Sequence, residues 1–363
     1  MAYADIYFGA SRTGKTTQIG VAATRAVKVY GLPTRLVTAD LGTLDTIQDQ
    51  IDAGTVKVWN LRNNAHVMQA IDKACQGYWP EDVNDPNSKL MAPTIMRYVG
   101  KCPKCADEMS SGKPVQQLPC TKCKTITTFA MQRTTNPDND LTKVSLYAFE
   151  GITSFCDAIM DEMSSEGSIA LGDKEAPLSY MSGETKFSGN SGGDYGLSQK
   201  AIPGWIAKST GIPYIKELLW TGLEGRGFVE GTDKRVEDNK GRSKIVGVPM
   251  YGVLIPGGGA AAKIMGKVPA WFRHMIHFET VEKATAATDG GPATMTIEYR
   301  MYIKPHADPM GIVFVCGLRI REQFLKEFNK WPAWMEPDVG KLYDKIDELQ
   351  QRAVAQVKQT TSN

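Results

Sequence analysis

The chain has no run of about 18 apolar residues, so no ordinary membrane-spanning helix, and no membrane partner, is expected. It has no surplus of charge of one sign either. The formal net charge is +2 over 363 residues. That balance names no partner, and any nucleic-acid surface must be local. No internal repeat is visible, which excludes a solenoid or array. Cysteine is sparse and odd in number, seven in all, which argues against a disulfide framework. Four of the seven form two C-x-x-C pairs, a pattern of metal binding in a reducing compartment. The first apolar run starts so close to Met1 that no secretory leader is expected. These absences leave a cytoplasmic protein of ordinary apolar content, long enough for one large α/β core with insertions or for two domains.

The most specific motif is Gly9-Ala10-Ser11-Arg12-Thr13-Gly14-Lys15-Thr16, followed by Thr17. It matches a phosphate-binding loop. The apolar run Asp5 to Phe8 precedes it as a strand. Helical spacing of Ile19, Ala22, Ala23, Ala26 and Val27 follows it, through Tyr30. In that context backbone N–H groups of the loop converge on phosphate oxygens. Gly9 and Gly14 permit close approach. Lys15 places a cation on the outer phosphates, and the Thr16 hydroxyl is a Mg²⁺ ligand. The alternative is a glycine turn that happens to end in Lys-Thr.

Further along, strands are expected at Arg35 to Asp40, Thr55 to Leu61, Lys143 to Phe149, Tyr214 to Leu223, His274 to Glu282, Met295 to Lys304 and Gly311 to Ile320. Helices are expected at His66 to Gly77, Thr153 to Ser164 and Lys341 to Lys358, and a weaker one at Ile202 to Thr210 because of Pro203 and Gly204. Alternation of the two types predicts a mainly parallel sheet covered on both faces. Tyr78 to Pro93 reads as a loop. So does 167–196, rich in Gly and Ser, as a mobile surface segment. Glu224 to Lys244, with six basic and five acidic residues, reads as a solvated loop.

Cys102-Pro103-Lys104-Cys105 and Cys120-Thr121-Lys122-Cys123 are 14 residues apart. Two such knuckles supply a tetrahedral four-thiolate shell, the donor set of structural Zn²⁺. A redox dithiol is the alternative. The flanks carry Arg97, Lys101, Lys104, Lys113, Lys122 and Lys124 against Asp107 and Glu108. That suits contact with nucleic acid or a purely structural module equally well.

A triphosphate site also needs acids at neighbouring strand ends, where ligands of a parallel sheet collect. Glu150 ends the strand at Val144 to Phe149 and is the candidate for the Mg²⁺ shell, otherwise a solvated strand-end carboxylate. Asp40 ends the second strand and is placed to activate water, or to cap the turn Leu41-Gly42-Thr43. Thr221 is a weaker candidate for a γ-phosphate contact, with Glu224 just beyond it.

In order along the chain, G-A-S-R-T-G-K-T, L-V-T-A-D at 36–40, Y-A-F-E-G at 147–151, L-L-W-T-G-L-E at 218–224, V-P-A-W-F at 268–272 and K-P-H-A-D-P at 304–309 are similar to the RecA-like, core-only phage nucleotide-binding proteins. These are often labelled phage AAA-family ATPases and include single-strand annealing and recombination proteins. The resemblance implies an α/β RecA-like P-loop NTPase core in two parts, 1–97 and 129–321, with mobile loops at 167–196 and 224–244. A zinc ribbon is inserted at 98–128, and a helical extension follows at 322–363. It makes Lys15, Asp40, Glu150 and Thr221 the catalytic set, with Glu150 in the Walker B position where Asp is usual. The Gly-rich segment before Lys263 resembles a loop meeting DNA or a neighbouring subunit's nucleotide. Lys263, Arg319 and Arg321 become trans-acting candidates. The implied cofactors are ATP, Mg²⁺ and Zn²⁺. The implied partners are single-stranded DNA, further copies of the chain in a ring or filament, and other phage replication or recombination proteins in the host cytoplasm. Tyr251, Trp271 and Phe272 are aromatic candidates for base stacking, though V-P-A-W-F also reads as a core helix start.

Three functions fit: an ATPase promoting annealing or strand exchange, a helicase or translocase with the same core, and an ATP-gated scaffold with little hydrolysis. The first leads, and Glu150 in place of Asp keeps the last open. A small-molecule kinase fits less well, because no acceptor lid with clustered arginines is present.

Overall fold

The structure, a computed structural model, describes residues 4–40, 42, 44–165, 179–188, 194–237, 243–255, 265–285 and 294–361. Its core strands are β1 (Ala4–Gly9), β2 (Thr34–Thr38), β3 (Val56–Asn60), β4 (Leu146–Glu150), β5 (Glu217–Phe228), β6 (Pro249–Val253), β7 (His274–Thr285) and β8 (Thr294–Tyr302). The principal helices are α1 (Lys15–Tyr30), α2 (Val67–Ala74), α3 (Ile152–Ser165), α4 (Asp194–Thr210) and α5 (Val339–Thr361).

The central sheet runs β3-β2-β4-β5-β1-β7-β8. Every pair from β3 to β7 is parallel, and β8 is antiparallel to β7. The protein is therefore mixed α/β with a mostly parallel central sheet. Both faces are covered, which is why β1 is buried at every position. Ile6 and Phe8 point to one face, with Trp59, Phe149, Trp220 and helices α2, α3 and α4. Tyr7 points to the other, with α1 residues Ile19, Ala22, Ala23 and Ala26 and α5 residues Leu342, Ile346 and Leu349.

Register decides what the sheet presents at its carboxyl edge. Gly9 pairs with Leu223, Tyr7 with Thr221, Phe149 with Trp220 and Glu150 with Thr38. The loop after β1, Glu150, Thr221 and the residues after Thr38 therefore share one end of the sheet. α5 is fastened beneath α1 by the buried Arg25 guanidinium, which pairs with Asp344 at 2.9 Å, Glu217 at 3.2 Å and Asp347.

Residues 94–135 stand apart as small antiparallel sheets, with Thr94–Lys101 between Ala130–Thr135 and Glu108–Ser111. Asn136 and Asn139 tie their base to the core. The Asn136 amide donates to Ala92 O, and the Asn139 amide donates to Gly77 O and Met91 O, at 2.7–2.9 Å.

Several expectations need correction. The solvated loop at 224–244 is strand through Phe228, antiparallel to β6, then a hairpin of Lys234–Glu237 with Ser243–Val246; residues 238–242 lie outside the described residues. Alternation was hidden because Gly225 and Gly227 occupy alternate positions of the strand; a Cβ on Gly225 would fall 2.6 Å from Leu254. Within the mobile segment at 167–196, Ser179–Ser182 and Thr185–Ser188 pair as a hairpin, and α4 already starts at Asp194 and carries Pro203 inside it; residues 166–178 and 189–193 lie outside the described residues. The strand at Gly311 to Ile320 is only Val313–Phe314 and Gly317–Leu318, interrupted at Val315 and Cys316, with Gly311 and Gly317 at positive φ. The loop at Tyr78 to Pro93 holds a short pairing of Trp79–Pro80 with Leu90–Met91. V-P-A-W-F is a single 3₁₀ turn, Val268–Ala270.

Candidate functional site

The loop between β1 and α1 has the backbone its glycines require. Gly14 sits at the helix N-cap with φ 84°. A Cβ on Gly9 would lie 2.1 Å from Phe278 O. Arg12 also holds a left-handed φ of 64°, strain of about 1–3 kcal/mol for a non-glycine residue. The buried Thr13 hydroxyl donates to Ala10 O at 3.0 Å, and Gln18 N–H donates to Gly14 O at 3.0 Å.

Lys15 folds back over this loop. Its Nζ donates to Ala10 O at 2.6 Å and Gly9 O at 3.0 Å. Burial pulls the ammonium down to about 8, against the upward pull of Glu224, Glu150 and Asp40. Next to it, the Thr16 hydroxyl donates to Glu150 Oε1, joining the loop to the end of β4. Glu150 is 3% exposed. The buried Thr221 hydroxyl accepts from Gly151 N–H at 2.8 Å, so the end of β4 is tied to β5 as well. Asp40 accepts from Gly42 N–H at 3.1 Å and donates its own N–H to Thr38 Oγ1 at 3.0 Å. It thus caps the turn and borders the same cleft.

These groups line one open cleft of about 840 Å³. Ser11, Arg12, Thr13, Gly14, Lys15, Thr16, Thr17, Asp40, Glu150 and Thr221 all reach it. Gly9 and Ala10 contribute through their carbonyls on Lys15. Gln18, Thr46, Ser154, Tyr299 and Pro337 also line it and were not picked out from sequence. Tyr299 carried a faint signal. Met295, Ile297, Tyr299 and Met301 alternate as a buried face would, yet only Met301 is buried. Glu224 has a second anchor. Its Oε2 meets Nε2 of the fully buried His277 at 2.8 Å. Among the described residues His277 Nδ1 has no hydrogen-bond partner, so the Nε2 proton is assigned to the side that faces Glu224.

Arg319 and Arg321 are not in this cleft. They line a second cavity of about 600 Å³ with Ala4, Trp271 and Arg273, at the amino-terminal edge of β1 and β7. Arg319 donates to Pro269 O at 2.7 Å. Phe272 is buried in the core. Tyr251 stacks on Phe314 with ring centres 4.6 Å apart. Lys263 lies outside the described residues.

The four cysteines of the C-x-x-C pairs come together, their sulfurs all within 4.8 Å of one another. Cys102 and Cys123 are 3.4 Å apart; Cys105 is 3.5 Å from Cys120 and from Cys123. A tetrahedral shell with metal–sulfur bonds of about 2.3 Å spaces its sulfurs about 3.8 Å apart, so this cluster is of a size to hold a metal ion. The two knuckles are built alike. Ala106 N–H donates to Cys102 O and Lys124 N–H to Cys120 O, each at 2.9 Å. Ala106 and Lys124 both take left-handed φ, 58° and 61°. The Thr125 hydroxyl, 3.3 Å away, and the Thr125 backbone N–H hold the Cys123 thiol down at about 6.

Among the described residues, no helix is long and apolar enough to cross a membrane. No protein-family model matches the chain, and no curated protein sequence matches it either.

Proposed function

We propose that the chain is a RecA-like P-loop ATPase that acts on single-stranded DNA, in phage recombination, annealing or replication, as a homo-oligomeric ring or filament. One observation carries the nucleotide half of this reading: a glycine loop with its lysine and threonine sits in a single cleft with Glu150 at the end of β4, Thr221 on β5 and Asp40 just after β2. Their distribution gives each a role. Lys15 neutralises the outer phosphates. Thr16 and Glu150 hold Mg²⁺, which supplies charge neutralisation on the β- and γ-phosphates when bound. Asp40 orients and deprotonates the attacking water. Thr221, its lone pair engaged by Gly151, keeps its proton to donate to the γ-phosphate or the water. The strand order supports the RecA-like assignment, since β5, carrying Thr221, lies between the loop strand and the Glu150 strand. The four thiolates hold Zn²⁺ as a closed structural site.

The DNA half rests on the motif resemblance, on the exposed Lys101, Lys104, Lys113 and Lys124 of the ribbon, and on the exposed Lys234 and Arg235 of the hairpin after β5. Filter binding of single- and double-stranded DNA, with and without ATP and across salt, tests it. ATP-dependent preference for single strands, falling with salt, is expected. No such preference favours the ATP-gated scaffold. Annealing without unwinding separates this reading from a helicase.

A further inference from the structure

We propose that Tyr299 is the platform on which the nucleobase stacks, and that the cleft therefore selects purine over pyrimidine nucleoside triphosphates. The inference rests on the reading of the cleft as a triphosphate site and adds the part of the ligand that the loop does not specify.

The cleft has two ends. Lys15, Glu150, Thr221 and Asp40 lie on the β5, β4 and β2 side of β1. A triphosphate with its terminal group there must run the other way, over the first turn of α1. Thr17 and Gln18 line that path. At its far end stands β8, two strands from β1, about 10 Å at ordinary strand spacing. Tyr299 on β8 lines the cleft, as does Pro337.

Tyr299 is 45% exposed, and its ring has no aromatic or hydrogen-bond partner among the described residues. The neighbouring Tyr302, by contrast, stacks on His306 at 3.6 Å. An unpartnered ring at the wall of a polar cleft is suited to a planar ligand with a π-face.

Pro337 is held in place at the cleft wall by Gln18. Gln18 Nε2 donates to Pro337 O and Gln18 Oε1 accepts from Val339 N–H, both at 3.0 Å. Each end of the Gln18 amide is thereby engaged in holding the chain at Pro337 and Val339. Recognition by stacking on the ring depends on base area more than on edge pattern. ATP and GTP should bind comparably, and CTP and UTP less well.

Binding of ATP, GTP, CTP and inorganic tripolyphosphate, each with Mg²⁺, to the full chain and to Tyr299→Ala, Tyr299→Phe and Lys15→Ala tests this. Tyr299→Ala should weaken ATP and GTP about tenfold and leave tripolyphosphate unchanged. Tyr299→Phe should keep wild-type affinity. Lys15→Ala should lose all four ligands. Wild-type ATP affinity in Tyr299→Ala, with Lys15→Ala still impaired, would overturn the base platform alone. Equal loss of ATP and tripolyphosphate in Tyr299→Ala would also overturn it, because the ring would then be acting on the phosphates or the fold. If the wild-type chain binds neither ATP nor tripolyphosphate, the triphosphate site itself falls, and the platform with it.

Discussion

Lys15 sits between two opposed influences. Burial brings it down to about 8, while Glu224, Glu150 and Asp40 draw it upward. A triphosphate bound against Nζ adds negative charge and raises it further. The sign follows: near pH 8 the free site is only partly protonated, the bound site fully so, and binding takes up protons. Calorimetry at pH 8 in buffers of different ionisation enthalpy should show uptake of about half a proton per nucleotide. Affinity should fall as the pH rises above 8. A binding enthalpy independent of buffer would contradict this account of Lys15. Glu224 is part of the same balance. It follows Thr221 on the same strand, and its significance comes from the buried His277 that fixes it, a residue 53 positions away.

At the scale of elements, the two cysteine knuckles show how much a local motif can specify. Each closes by the same backbone bond and each forces a left-handed residue, Ala106 or Lys124, that has no glycine to ease it. Such a small module has little core of its own, and metal binding is then folding energy. Elemental analysis of the purified chain should find about one Zn²⁺ per molecule, and strong chelators should unfold residues 94–135 while the nucleotide cleft persists. A folded ribbon free of metal would refute the site. Both the knuckles and the backbone turn of the glycine loop were legible in the sequence because each lies within a few consecutive residues. The rest of the cleft was not. Gln18, Tyr299 and Pro337 meet only because β8 and the start of α5 return to α1, and no local pattern records that return. The β5 extension was missed for a different reason. Glycines stand where apolar side chains would have revealed a strand, because Leu254 packs against the backbone there.

For the whole molecule, the parallel sheet gives the protein its polarity. The carboxyl edge gathers the glycine loop, Glu150, Thr221 and Asp40; the amino edge carries Arg273, Arg319 and Arg321 around a second cavity. As trans-acting groups, Arg319 and Arg321 would have to serve a neighbouring copy, since they lie at the opposite end of the sheet from their own cleft. α1 is joined to the start of α5 at two places, by Arg25 to Asp344 and Asp347 and by Gln18 to Pro337 and Val339. All of this depends on the cleft being a triphosphate site. The most direct test is Mg²⁺-dependent ATP binding and turnover by the wild-type chain beside Lys15→Ala. The account predicts that the wild type binds and hydrolyses ATP and that the variant, still folded by circular dichroism, loses about a hundredfold or more in turnover. Equal turnover in the two proteins, or a wild type that binds no nucleotide, would contradict it.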